Sequence, residues 1–151
     1  MPENLWFLNT LVQVRVPHEE GTDGLSVIEN RAPFADSPPL HVHRTEDELF
    51  LILEGQFRFV AGGEERRAGP GDAVLTRKGV SHTYRVESPE GGRWLVVTTH
   101  GDFERFVREL SRPADTVDLP PAGGPPSPEQ VQALGAVAAR HHIELVGPPL
   151  A

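Results

Sequence analysis

Residues 41–55 read HVHRTEDELFLILEG. Two histidines stand two apart, Glu48 follows five residues after the second, and an apolar run then ends at Gly55. Successive side chains of a strand point to opposite faces, so an extended HVH puts His41 and His43 on one face and Val42 on the other. ELFLILE has the β-rich, apolar character of a second strand, with Glu48, Phe50 and Ile52 on one side and Leu49, Leu51 and Leu53 on the other. RTED between them reads as a turn, which would make the two strands a pairing hairpin. If the histidine face meets the Glu48 face, two imidazoles and one carboxylate converge. A glutamate among Phe and Ile is costly to bury unless a partner such as a cation compensates it. On its own, a glutamate at that position is more simply the solvated first residue of a strand.

A metal needs more than one hairpin supplies, and GDAVLTRKGVSHTYRV at 71–86 offers the remainder. Gly71 and Asp72 open a short strand, Gly79 makes another turn, and His82 begins the next strand, sharing a face with Tyr84 and Val86. Ligands of N, N, O, N type from separate strands would leave coordination positions open for exogenous molecules, as a catalytic site requires.

Further outward, short β-type runs alternate with turn signals from residue 5 to about 100, the pattern of an all-β sandwich or barrel. LVQVRV at 11–16 points Val12, Val14 and Val16 inward, and GLSVIENR at 24–31 predicts another strand. After His100 the pattern changes to helical spacing. Asp102 is placed as N-cap of DFERFVREL, whose Phe103, Phe106, Val107 and Leu110 form an apolar stripe of the kind that covers a core. A Pro/Gly-rich linker follows. Ser127, Pro128 and Gln130 then mark a helix start of capping-box type. That helix presents Val131, Leu134, Val137 and Ala138 on one face, and His141 and His142 suit its C-terminal dipole. IELVGPPLA returns as an edge strand or packs on the surface. The expected division is a β-domain over 1–101, an amphipathic helix over 102–112, the linker over 113–126, and a helix and tail over 127–151 that pack on the barrel exterior or a partner subunit, with nothing in them reading as catalytic.

Composition narrows the function classes. The chain has 151 residues, enough for one domain with a real core, and 14 basic against 22 acidic residues give a net charge of −8. With no basic block, nucleic acid and anionic membrane surfaces are poor partners. The absence of cysteine excludes disulfides and thiolate metal sites. MPENLWFLNTLVQVRV has no basic n-region, long apolar core or small-residue cleavage site, so neither signal peptide nor membrane span is expected and a cytoplasmic location is the default.

The chain resembles the cupin superfamily. His41-x-His43, four residues, Glu48, six residues and Gly55 match its first motif; Gly71 and Gly79-x-x-His82 match its second, with fifteen residues between Gly55 and Gly71. Departures are Ala35 for a frequent glycine, Arg77 for the usual proline before Gly79, and Val86 for the usual asparagine after His82. None of these is a ligand position. The resemblance implies an antiparallel double-sheet β-barrel of jelly-roll type, followed here by the C-terminal helices. It also implies one divalent transition metal held by His41, His43, Glu48 and His82, and a homodimer formed through edge strands. The metal could be iron, nickel, manganese, cobalt, copper or zinc, since the ligand types do not select among them.

Within the superfamily the single-domain layout resembles the bacterial quercetin-dioxygenase-like group. Its members imply a small-molecule substrate, flavonol-like or otherwise enolisable, with dioxygen as co-substrate and Glu48 as ligand and general base. Phe50, Tyr84 and Trp94 are the candidate pocket residues and Phe57 a weaker one, although core packing is the simpler role for each aromatic. A metal-dependent isomerase, cyclase or lyase, and a non-catalytic binding module, are the competing readings.

Overall fold

A computed structural model describes residues 3–151. Strands β1 (Glu3–Phe7), β2 (Thr10–Val16), β3 (Ser26–Ala32), β4 (Leu40–His43), β5 (Glu48–Glu54), β6 (Phe57–Ala61), β7 (Glu64–Ala68), β8 (Ala73–Thr76), β9 (His82–Val86) and β10 (Gly92–Thr98) precede helix α1 (Asp102–Leu110). The short strand β11 (Arg112–Pro113), helix α2 (Pro128–Arg140) and strand β12 (Ile143–Gly147) follow. The strands form a seven-stranded sheet, β11-β1-β2-β3-β10-β5-β8, and a five-stranded sheet, β12-β4-β9-β6-β7, with every pairing antiparallel. Among the described residues no strand belongs to both sheets, so this jelly roll is an open two-layer sandwich whose sheets do not fuse into one hydrogen-bonded cylinder.

Period-two alternation puts the core between the layers. In β5 the residues Glu48, Phe50 and Ile52 are buried and Leu49, Leu51 and Leu53 half-buried, as the pattern predicts. Ile52 from one sheet and Phe57 and Phe59 from the other meet Trp94 in one cluster, each at most 2% exposed. Burying one such side chain contributes about 1.5–3 kcal/mol. The indole of Trp94 meets the ring of Phe57 edge to face, with centroids 5.1 Å apart. A second cluster, Leu5, Val12, Val14, Ile28 and Val107, continues the core beneath α1.

The hairpin expected of β4 and β5 does not form. β4 lies in the five-stranded sheet between β12 and β9, whereas β5 lies in the other sheet between β10 and β8. The linking RTED is a crossing between layers, because Glu46 turns inward instead of into solvent. It is 1% exposed, and its carboxylate accepts hydrogen bonds from the backbone N–H groups of His100 (3.0 Å) and Phe103 (2.7 Å). The start of α1 is therefore capped from outside. Gly101 is its N-cap, and Asp102, expected there, is the first helical residue, bonding Thr45 and Arg105.

Two motif glycines occupy backbone that other residues adopt only with strain. Gly55 has φ +89°, and a Cβ there would lie 2.5 Å from the Gly91 carbonyl oxygen. Gly79 has φ +81°, and its N–H donates to the carbonyl of His43 at 2.8 Å, fastening the turn before His82 to β4.

At the C-terminal end the capping box forms as expected: Ser127 Oγ accepts from the Gln130 N–H, and the Gln130 side chain accepts from the Ser127 N–H. On the apolar face of α2, Ala138 is fully buried and Leu134 and Val137 are half-buried, but Val131 is 39% exposed because it lies in the outward first turn. The tail returns as an edge strand, β12 on β4, pairing Ile143 with His43 and Leu145 with His41. No helix among the described residues is long and apolar enough to cross a membrane.

Candidate metal centre

Strand geometry assembles three imidazoles on one sheet. His41 and His43 alternate with Val42 along β4, and β9 pairs with β4 at His41 and His82. The ring centroids lie 5.0 Å (His41–His43), 4.4 Å (His41–His82) and 5.3 Å (His43–His82) apart. Glu48 enters from the facing sheet at the start of β5, opposite Thr76 of β8, whose hydroxyl donates to the Glu48 carbonyl at 3.1 Å. The site bridges the two layers.

One potential ligand atom from each of His41, His43, Glu48 and His82 lies within 4.8 Å of the others. Glu48 Oε2 is 2.8 Å from His43 Nε2 and 3.3 Å from His82 Nε2, with all three side chains at most 4% exposed. Yet none of these three atoms has a partner in hydrogen-bond alignment among the described residues. Buried polar atoms left in this condition are costly, and a shared occupant relieves them together. Two of the imidazoles are oriented for one, while His43 Nδ1 is buried with no partner among the described residues. His41 Nδ1 lies 2.8 Å from the Pro39 carbonyl oxygen and His82 Nδ1 lies 3.4 Å from that of Val80, contacts that hold the proton on Nδ1 and leave the Nε2 lone pair for the centre. Three nitrogens and one carboxylate oxygen, without thiolate, could hold a divalent metal ion.

Electrostatics fit the same role. Burial, then the neighbouring imidazoles of His82 and His43, push the His41 pKa down to about 3, so this ring stays neutral and able to ligate. Burial also disfavours a charged His43, but the adjoining Glu48 carboxylate outweighs it and the His43 pKa is raised. For Glu48, burial alone would raise the pKa; His43 and His82 reverse the sign and hold the carboxyl below its usual range.

His41 and Glu48 open onto a cavity of about 70 Å³ that Phe50, Tyr84 and Trp94 also line. Phe57 does not line it: at 1% exposure it is packed beneath the cavity against Trp94. The indole Nε1 of Trp94 is buried without a hydrogen-bond partner among the described residues. Two contributions escape the sequence reading. Glu46 draws α1 over the site, so that the Phe103 ring sits 5.7 Å from that of His43. Leu134, Ile143 and Leu145 add to the wall from α2 and β12, a lining role the sequence does not announce. The short, mostly apolar run IELV was the available signal, but strand partners do not follow from such a pattern.

Comparison with known proteins agrees with this geometry. Residues 27–98 match the cupin domain family. Over 99 residues, 65% of this chain, the sequence is 32% identical to quercetin 2,3-dioxygenase of Bacillus subtilis, but the match spans only 29% of that protein's length. Among solved structures, a predicted oxalate decarboxylase from Thermotoga maritima superposes with TM-score 0.58 at 22% identity, covering 66% of this chain and 91% of the other. An RmlC-like cupin from Shewanella frigidimarina gives TM-score 0.55 at 16% identity, covering 64% and 83%. The solved structures carry the fold, and the domain match over residues 27–98 together with the 32% identical relative supports a cupin superfamily member.

Proposed function

We propose that this protein is a metal-dependent dioxygenase acting on a flavonol-like or other enolisable small molecule. The observation that carries the reading is the convergence of Glu48 Oε2 and the imidazoles of His43 and His82, buried and unaligned for hydrogen bonding, at the end of an aromatic-lined cavity. The similarity to the Bacillus subtilis quercetin 2,3-dioxygenase supports the reaction class. His41, His43, Glu48 and His82 would hold one divalent transition metal, which supplies Lewis acidity toward an enol oxygen and, if redox-active, a route for dioxygen. Glu48 is both ligand and base: its carboxylate, ionised in this setting, takes the enol proton. Phe50, Tyr84 and Trp94 confine the substrate and keep water from the reacting carbon.

The same base and Lewis acid would suffice for a non-oxidative isomerase, cyclase or lyase. Oxygen-electrode measurements on the metal-loaded protein with enolisable substrates separate the two. Substrate-dependent oxygen uptake, abolished in Glu48→Gln with the fold intact, is expected. Turnover without oxygen would move the reading to the non-oxidative class, and tight binding without turnover to a binding module.

A further inference from the structure

The cavity beside His41 and Glu48 measures about 70 Å³, whereas small-molecule sites typically enclose about 300–1,000 Å³. One wall is the aromatic inner face of the sheets. The other comes from β1, α1 and the C-terminal segment, with Leu134 on α2 and Leu145 on β12 reaching the cavity beside Phe7, Phe103 and Phe106. The C-terminal segment lies outside the matched cupin region, residues 27–98. It is also firmly seated. β12 pairs with the ligand-bearing β4, Ala138 and Ile143 are buried against Phe106, and the capping box fixes the start of α2. Ile143 is 2% exposed within that packing, and Leu134 and Leu145, half-buried, pack against the same cluster and line the cavity.

We infer that Leu134 and Leu145 set the size of substrate this site accepts, restricting it to compact, single-ring or open-chain hydroxy-ketones and excluding three-ring flavonols. This rests on the metal-centre reading above and narrows its substrate class. A pocket of this volume beside the ligands has room for the chelating hydroxy-ketone unit, but the fused and pendant rings of a flavonol would meet the two leucines. Truncating either one extends the cavity without touching a ligand residue.

The test uses two molecules with the same hydroxy-ketone group and different bulk: maltol, a one-ring hydroxypyranone, and 3-hydroxyflavone. Both are titrated by absorption and fluorescence into the full-length protein, loaded with cobalt(II) and metal-free, for the wild type, Leu134→Ala, Leu145→Ala and the milder Leu145→Val. The ratio of 3-hydroxyflavone to maltol affinity should rise about tenfold or more in the alanine variants, since one methylene in an apolar pocket is worth about that factor. A smaller rise in Leu145→Val keeps the test decisive if an alanine variant fails to fold. Cobalt content should be equal throughout. An unchanged ratio with normal cobalt content overturns the size restriction and leaves the metal centre standing. A raised ratio in the metal-free protein, with no cobalt retained by the wild type, sustains the restriction and overturns the metal reading.

Discussion

At the scale of single residues, the candidate centre depends on three imidazoles and a carboxylate drawn together between the sheets. Replacing His41, His43 or His82 by alanine should lower metal affinity at least about tenfold, since even residues that merely support a ligand typically cost that much. His100→Ala and His142→Ala, which alter exposed imidazoles away from the cluster, should keep full metal content. Elemental analysis of the five variants decides, and equal metal in all of them would refute the assignment. A pH dependence follows from His43. Its pKa is raised by the Glu48 carboxylate over the opposing effect of burial, so metal must displace a proton that His43 holds to higher pH than a free imidazole. His41, with its pKa near 3, has no proton to release. Affinity should therefore fall as pH is lowered from about 8 to about 5, and calorimetry in buffers of different ionisation enthalpy should register proton release on binding. An affinity constant across that range would count against the ligand role of His43.

At the scale of elements, Glu46 is the joint between the ligand loop and α1. Glu46→Ala leaves two backbone N–H groups without their charged acceptor, and each such bond contributes about 1.5–3 kcal/mol, so urea unfolding should show a loss of about 3 kcal/mol or more. Glu46→Gln should recover part of this loss, because its amide oxygen still accepts one bond. Here the limits of the sequence are instructive. Alternation in HVH and ELFLILE correctly assigns the inward faces of His41, His43, Glu48 and Phe50, because burial follows a period of two regardless of which strand lies alongside. Pairing is a different matter: RTED has the composition of a turn, and only the inward course of Glu46, answered by N–H groups more than fifty positions away, shows that it crosses between layers. Tyr84 could be placed on the face of His82 because alternate residues of one strand share a side. Leu134 and Leu145 could not be placed, since their position depends on an antiparallel pairing with β4 that no local pattern encodes.

At the scale of the whole molecule, the C-terminal segment contributes stability as well as a cavity wall. Removing residues 127–151 uncovers Phe106 and leaves one edge of β4 unpaired. A thermal melt of the truncated protein should show a marked loss, corresponding to about 5 kcal/mol from two or three apolar side chains no longer covered. The exposed strand edge should promote aggregation. Metal content should persist, because all four candidate ligands lie between residues 41 and 82. Its loss in a truncated protein that remained folded would place part of the centre in the tail.

The crossing of the linker between α1 and α2 has an evolutionary reading. The four candidate ligands and the two leucines proposed to bound the substrate lie on separate stretches of chain, joined by a span rich in proline and glycine. On that proposal, change in the later stretch would retune what the protein accepts while leaving the candidate ligands untouched. Exchanging everything after residue 126 between related chains would then be a shorter route to a new substrate than redesigning the aromatic floor, where every side chain also supports the fold.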